Sequence, residues 1–249
     1  MRTVIVTGAT KGIGWAAALA LGDAGWWVLG SGRDDADGKD LSRELEHRSG
    51  GLYVGGDITE PGVAENLVER VLTESNRLDA LVNNAGIHHV AKVADTDPAV
   101  YDRIMDVNLR AAFLMARAAI PQMREQGGGT IINVSSEAGL VGFPDQMAYN
   151  ISKAGLIMLT KSIVADYGAD GIRSVTVCPG TTLTPLVQGI IDQAPDPDDL
   201  ARQMAARRPA GRLGKPEEIA AAVVFSLSDE AAFMTGSEIV IDGGNVAVT

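Results

Sequence analysis

Tyr149 and Lys153 stand four residues apart in a stretch, 148–167, whose apolar periodicity predicts a helix. That spacing puts a phenol and an ammonium on one helix face. A phenol titrates near ~10, and a neighbouring cation stabilises its phenolate, so the pair reads as an acid/base centre drawn toward working pH. A second chemical feature lies at the start of the chain, where an apolar run ends in Thr7-Gly8-Ala9-Thr10-Lys11-Gly12-Ile13-Gly14 and opens into a helical pattern. Glycines at such a junction let backbone N–H groups and the positive helix end approach a pyrophosphate without side-chain obstruction. Taken singly, either feature also fits a bland reading: an amphipathic helix with a surface lysine, or a tight turn with no ligand.

For the two features to meet, the chain must gather several strand ends on one side. Short apolar runs at 3–6, 26–30, 52–55, 80–82, 130–134, 174–178 and 238–241 read as strands, most of them apolar throughout, as strands covered on both faces are. Helical patterns fall between them at 14–24, 41–47, 62–73, 100–108 running on toward 123, 148–167, 197–207 and 216–227. This alternation predicts an α/β fold in which crossover helices join parallel strands. No linker-like composition or internal repeat divides the chain, so one domain over 1–249 is expected. The stretch 181–214, with Pro185, Pro195, Pro197 and Pro209, is longer than an ordinary connection and reads as a substrate lid.

Composition narrows the function classes. Twenty-one Lys and Arg against 32 Asp and Glu give a net charge of −11 over 249 residues, which disfavours nucleic acid and anionic membrane surfaces as partners. Cys178 is the one cysteine and lies in an apolar run, so it reads as a small buried side chain in a protein of a reducing compartment. The three histidines, His47, His88 and His89, offer no metal-ligand spacing, and no metal site is expected. No apolar stretch is long enough for a signal peptide or a membrane span, and a cytoplasmic location is expected.

The glycine spacing, Gly-x-x-x-Gly-x-Gly, departs from the general dinucleotide fingerprint Gly-x-Gly-x-x-Gly. Further along come Asn83-Asn84-Ala85-Gly86 after the fourth strand, Asn108 between Val107 and Leu109, and Ser136, Tyr149 and Lys153 in register. Pro179-Gly180 follows the sixth strand, and 214–220, Thr235-Gly236 and Asp242-Gly243-Gly244 close the series. In these motifs, their order and their intervals the chain resembles the short-chain dehydrogenase/reductase family over essentially its whole length, and among its members the 3-oxoacyl-carrier-protein reductases most. The resemblance implies a Rossmann-type doubly wound sheet of seven parallel strands with helices on both faces. It also implies an oxidoreductase that interconverts a carbonyl and a secondary alcohol by hydride transfer to or from a nicotinamide.

Roles follow from the resemblance residue by residue. Tyr149 would be the acid/base, with Lys153 lowering its pKa and binding the nicotinamide ribose. Ser136 would polarise the substrate oxygen, and Asn108 would hold a water that relays protons through Lys153. Ser136 is preferred to Ser135 because the family places its serine thirteen residues before the tyrosine. Gly8, Thr10, Lys11, Gly12, Ile13 and Gly14 of the glycine turn would bind the cofactor, Asp57 would contact its adenine, and Ile58, Asn84, Ala85 and Gly86 would be further cofactor contacts. Thr184 would touch the nicotinamide end and Pro179, Gly180 and Thr182 would also contact the cofactor, although Thr182 replaces the family's usual branched aliphatic residue.

The choice of cofactor turns on the end of the second strand. NAD-selecting members carry an acid at position 32, where this chain has Gly32; Arg33 and Lys11 match basic positions of NADP-preferring members. Two cations suit a 2′-phosphate, so NADP(H) is favoured, with NAD(H) the alternative if Arg33 merely neutralises Asp34 and Asp35. An NAD(H)-dependent alcohol or polyol dehydrogenase and a non-catalytic dinucleotide-binding regulator are the competing readings. The expected partner is a small carbonyl or alcohol substrate in a pocket walled by the segment after Ser136, by Gln146, by 87–89 and by 181–214. His88, His89, Glu137, Arg207, Arg208 and Arg212 bring polarity to these walls, but none is assigned a role. Family resemblance further implies a homotetramer.

Overall fold

A computed structural model describes all residues, 1–249. Seven parallel strands form one sheet: β1 (Thr3–Thr7), β2 (Trp27–Gly32), β3 (Gly51–Gly55), β4 (Ala80–Asn83), β5 (Gly129–Val134), β6 (Ile172–Pro179) and β7 (Glu238–Ile241). Their order is β3-β2-β1-β4-β5-β6-β7, so the direction of winding reverses between β1 and β4. In open α/β sheets that reversal leaves a crevice at the carboxyl ends of the strands, where ligands bind.

The helices are α1 (Gly12–Asp23), α2 (Asp35–Glu46), α3 (Val63–Ser75), α4 (Pro98–Met105), α5 (Ala111–Glu125), α6 (Met147–Tyr167), α7 (Pro185–Asp192), α8 (Pro197–Ala206), α9 (Pro216–Leu227) and α10 (Asn245–Val248). Alternation along β1 sends Val4 and Val6 to one face and Ile5 to the other, each fully buried. The first face packs against α1, α2 and α9 through Ala17, Leu21, Leu41, Leu45 and Val223. The second packs against α3, α5 and α6 through Leu67, Val71, Met115, Met123 and Ile163.

All seven expected strands are present, each within two residues of the expected ends. The helix expected at 41–47 begins earlier, because the Asp34 carboxylate caps the Ala36 and Asp37 N–H groups at 3.1 and 3.2 Å. The helix expected to run from 100 toward 123 is interrupted by a π turn, Asp106–Arg110, that carries Asn108. The stretch 181–214 holds two helices where one was expected. Its ends are zipped together by Leu183 N–H donating to the Gly214 carbonyl at 2.9 Å and Gly214 N–H to the Thr181 carbonyl at 3.1 Å.

Candidate active site

At the crevice, the β1–α1 turn is shaped by glycine. Gly8 and Gly12 adopt φ of +64° and +57°, which side chains disfavour. A Cβ on Gly14 would lie 2.1 Å from the Gly8 carbonyl oxygen, and one on Gly8 would lie 2.9 Å from Ala85 Cα. The loop after β4 reaches across to hold this turn: Asn84 Nδ2 donates to the Thr7 and Gly8 carbonyls at 3.0 and 3.2 Å. Thr7 Oγ1 accepts from the Asn84 and Ala85 backbone N–H groups at 3.0 and 3.1 Å. The sequence reading missed Thr7, whose signal would have been a hydroxyl at the last strand position before a glycine turn. The N-terminus of α1 is left bare of acids and faces the crevice, so these residues fit a dinucleotide's phosphates.

Beside the turn, Lys11 Nζ lies 3.0 Å from Asp34 and 2.8 Å from Asp37, whose hydrogen bonds raise its pKa. Arg33 is exposed and pairs with no carboxylate, so Lys11, not Arg33, neutralises Asp34. A Cβ at Gly32 would crowd the Thr10 side chain at 3.0 Å. Asp57 lies further along the crevice with its carboxylate already engaged. Oδ1 accepts from Thr59 N–H and Oγ1 at 3.0 and 2.7 Å, and Oδ2 takes Arg103 at 2.7 Å. Burial alone would raise its pKa, but the Thr59 bonds and then Arg103 bring it down to about 2. Ile58 beside it is buried in the core, and Ile13 packs against that core from the turn.

Ser136 and Tyr149 meet across the opposite wall. Ser136 follows β5 and caps a single 3-10 turn, Glu137–Gly139, its Oγ accepting from Ala138 N–H at 3.1 Å. Burial raises the Tyr149 phenol pKa; hydrogen bonding to Ser136 opposes that, and the Glu137 charge adds to it. The Ser135 hydroxyl instead donates to the Lys153 carbonyl at 2.7 Å. Lys153 is 4% exposed and its Nζ donates to the Val134 carbonyl at 3.0 Å, 5.6 Å from the Tyr149 ring centroid. Burial lowers its pKa to about 8. The Lys153 ammonium thus bonds this backbone carbonyl beside the Tyr149 ring, and burial is the largest influence on the phenol.

Asn108 is 1% exposed, and its side-chain amide is fully used within the protein. Oδ1 accepts from Ile87 N–H at 2.8 Å, while Nδ2 donates to the Ile87 carbonyl at 2.9 Å and to Ser152 Oγ at 3.0 Å. The amide thus clamps the loop after β4 onto α6. A Cβ on Gly86 would lie 3.4 Å from Asn108 Oδ1 and 3.5 Å from Lys153 Nζ, so glycine keeps the crevice open beside both. His88 is engaged: its ring stands edge-on to Tyr149 at 4.8 Å between centroids, and Nε2 pairs with Gln146 Oε1 at 3.0 Å.

The remaining wall comes from the C-terminal third. Pro179 ends β6, and Gly180 is pressed against the β7 loop, where a Cβ would lie 2.6 Å from Asp242 Cα. Thr182 is buried with its hydroxyl on the Gly180 carbonyl at 2.9 Å. Thr184 caps α7 and would touch a Cβ on Gly12 at 3.0 Å, which brings α7 to the glycine turn. Arg208 is buried in an ion pair with Glu137 at 2.7 Å, and Arg212 pairs with Glu218 at 2.6 Å, so neither presents a free charge to the crevice. Cys178 is buried, and that burial pushes its thiol up to about 12.

A family model described as Enoyl-(Acyl carrier protein) reductase matches residues 8–245. The chain is 42% identical over 248 residues to an uncharacterized oxidoreductase of Thermotoga maritima, covering 99% of this chain and 98% of that one. It is 39% identical over 247 residues to the cyclopentanol dehydrogenase of Comamonas testosteroni, covering 99% and 97%. The solved structure of levodione reductase superposes with a TM-score of 0.96 at 29% identity, over 100% of this chain and 98% of that one. The chain belongs to the short-chain dehydrogenase/reductase family, enzymes that work with a nicotinamide dinucleotide. No helix is long and apolar enough to cross a membrane.

Proposed function

We propose that the protein is an NADP(H)-dependent oxidoreductase that interconverts a small ketone and its secondary alcohol, with Tyr149 as the acid/base. The observation that carries this reading is the half-buried Tyr149 beside Ser136, with Lys153 one turn along the same helix face, and a glycine turn that fits a dinucleotide's phosphates. A nicotinamide dinucleotide bound in the crevice supplies a hydride to the carbonyl carbon, or accepts one from the alcohol. Tyr149 gives the proton to the carbonyl oxygen and takes it back in the reverse direction. Ser136 orients that oxygen, and Lys153 holds the cofactor's ribose and stabilises the phenolate. Asn108 acts by fixing Ile87 and Ser152 at the rim. The cyclopentanol and cis-4-hydroxycyclohexanecarboxylate dehydrogenases among the relatives, with levodione reductase among the structures, support a small cyclic ketone as the substrate class.

Arg33 carries the preference for NADP(H), because it is the cation beside Gly32 with no carboxylate partner. The second reading, NAD(H), is favoured by the capture of Lys11 between Asp34 and Asp37. Segment 181–214 serves as the substrate lid in a single domain, and the working form is a cytoplasmic homotetramer. Comparing kcat/KM for NADPH and NADH across a panel of cyclic ketones tests the reading. Preference for NADPH supports it, preference for NADH transfers the cofactor to the second reading, and cofactor binding with no oxidation by any ketone overturns it.

A further inference from the structure

Next to Ser136 lies a buried ion pair that the chemistry above does not use. Glu137 Oε1 takes Arg208 Nη2 at 2.7 Å and Oε2 takes Asn245 Nδ2 at 2.9 Å, with the Glu137 and Arg208 side chains only 7% and 3% exposed. Arg208 also donates to the Met204 carbonyl at 2.5 Å and to Thr181 Oγ1. Four segments therefore meet around one ion pair: the serine turn and α10 on the Glu137 carboxylate, and the start of 181–214 and the end of α8 on Arg208. A buried ion pair is a poor source of stability compared with apolar packing, so its presence beside a reactive serine calls for another role. The turn it grips also bears on the lysine, since a Cβ on Gly139 would lie 2.8 Å from the Lys153 carbonyl carbon.

We propose that Glu137 and Arg208 are positioning residues, a buried latch by which the 181–214 segment and the C-terminal helix hold the turn that presents Ser136 to the substrate oxygen. This rests on the reading of Tyr149 and Ser136 given above. The charged and titratable groups facing the phenol are Glu137, Lys153 beneath the ring and His88 at its edge. With Arg208 in place the Glu137 charge is compensated; without it, a bare carboxylate faces the phenol and favours its protonated form.

The test compares the wild type with Arg208→Met, the neutral pair Glu137→Gln/Arg208→Gln, and Tyr149→Phe. Two readouts are taken: limited proteolysis within 181–214, and the pH profile of cyclopentanone reduction by NADPH. Arg208→Met is expected to be cut about tenfold faster in that segment and to move the profile upward by about one unit. The neutral pair, which restores hydrogen bonding should Arg208→Met fold poorly, is expected to return the profile to the wild-type position or below. Unchanged proteolysis in Arg208→Met overturns the latch. So does a profile that stays put in both variants while turnover falls equally in each, since that is the mark of simple packing. Normal turnover by Tyr149→Phe instead defeats the acid/base reading and leaves proteolysis to decide the latch.

Discussion

The two walls of the crevice are held in different ways. On the β1 side, the turn from Gly8 to Gly14 is shaped mainly by backbone: positive φ at two glycines and close approaches that exclude a Cβ, with the Asn84 and Thr7 side chains bonding only to main-chain groups. On the β5 side, the turn after Ser136 is set by side chains that arrive from far along the chain, with Arg208 71 residues and Asn245 108 residues from Glu137. A backbone-built wall suits a ligand part that never varies, such as a pyrophosphate. A wall built from distant side chains can be rebuilt for each substrate by changing the segment that supplies them.

That contrast can be broken from either side. The largest effect is expected from Gly14→Ala: its new Cβ falls 2.1 Å from the Gly8 carbonyl oxygen, so the turn must open. A stability loss of ~3 kcal/mol is expected in denaturant unfolding, with NADPH binding, followed by fluorescence, weakened as well. Lys153→Met acts in the opposite direction. Its ammonium pKa falls from 10.5 in the free side chain to about 8 in the fold, so the unfolded chain holds the proton more tightly. Buried Lys153 therefore costs stability below pH 8, and that cost is relieved as pH rises toward 10.5. After the lost bond to Val134, the variant should gain about 2 kcal/mol at pH 7, with the gain shrinking toward pH 10 and activity lost. A Tm that falls at pH 7 would contradict this account.

A smaller effect belongs to Asp57→Asn on the cofactor wall. The Asp57 carboxyl lies at about 2 against an ordinary 3.8, so its contribution is present above pH 3.8 and lost as pH falls through about 2. Neutralising it should cost about 1–2 kcal/mol at pH 7 and flatten the acid limb of stability. Arg33→Ser should be smallest for the fold and visible only in cofactor choice, weakening NADPH about tenfold while leaving NADH unchanged. Equal weakening of both would remove Arg33 from the 2′-phosphate.

The same contrast explains what could be read from the residues alone. The strands were legible because both faces are covered and their apolar runs are nearly unbroken. The glycine turn was legible because local backbone demands leave a local mark. Tyr149, Lys153 and Ser136 were picked out by family resemblance and spacing, and the Ser135 hydroxyl is committed to the Lys153 carbonyl. Hidden from the sequence were the partners: Lys11 held by Asp34 and Asp37, Asp57 by Arg103, His88 against Tyr149, and Glu137 by Arg208 and Asn245. These are tertiary pairings between charges or rings with no periodic signature, and one sequence contains no record of which acid meets which base. The helix at Pro185–Asp192 escaped because it is only eight residues long and sits in a proline-bearing stretch, too short for its apolar spacing to stand out.

The proposed chemistry depends most on the phenol of Tyr149. The direct measurement is single-turnover reduction of a cyclic ketone by Tyr149→Phe loaded with NADPH, with cofactor affinity determined on the same sample. NADPH should bind as it does to the wild type while the hydride-transfer rate falls by about a thousandfold or more. A rate within a few-fold of the wild type, with cofactor bound, would show that the proton comes from elsewhere.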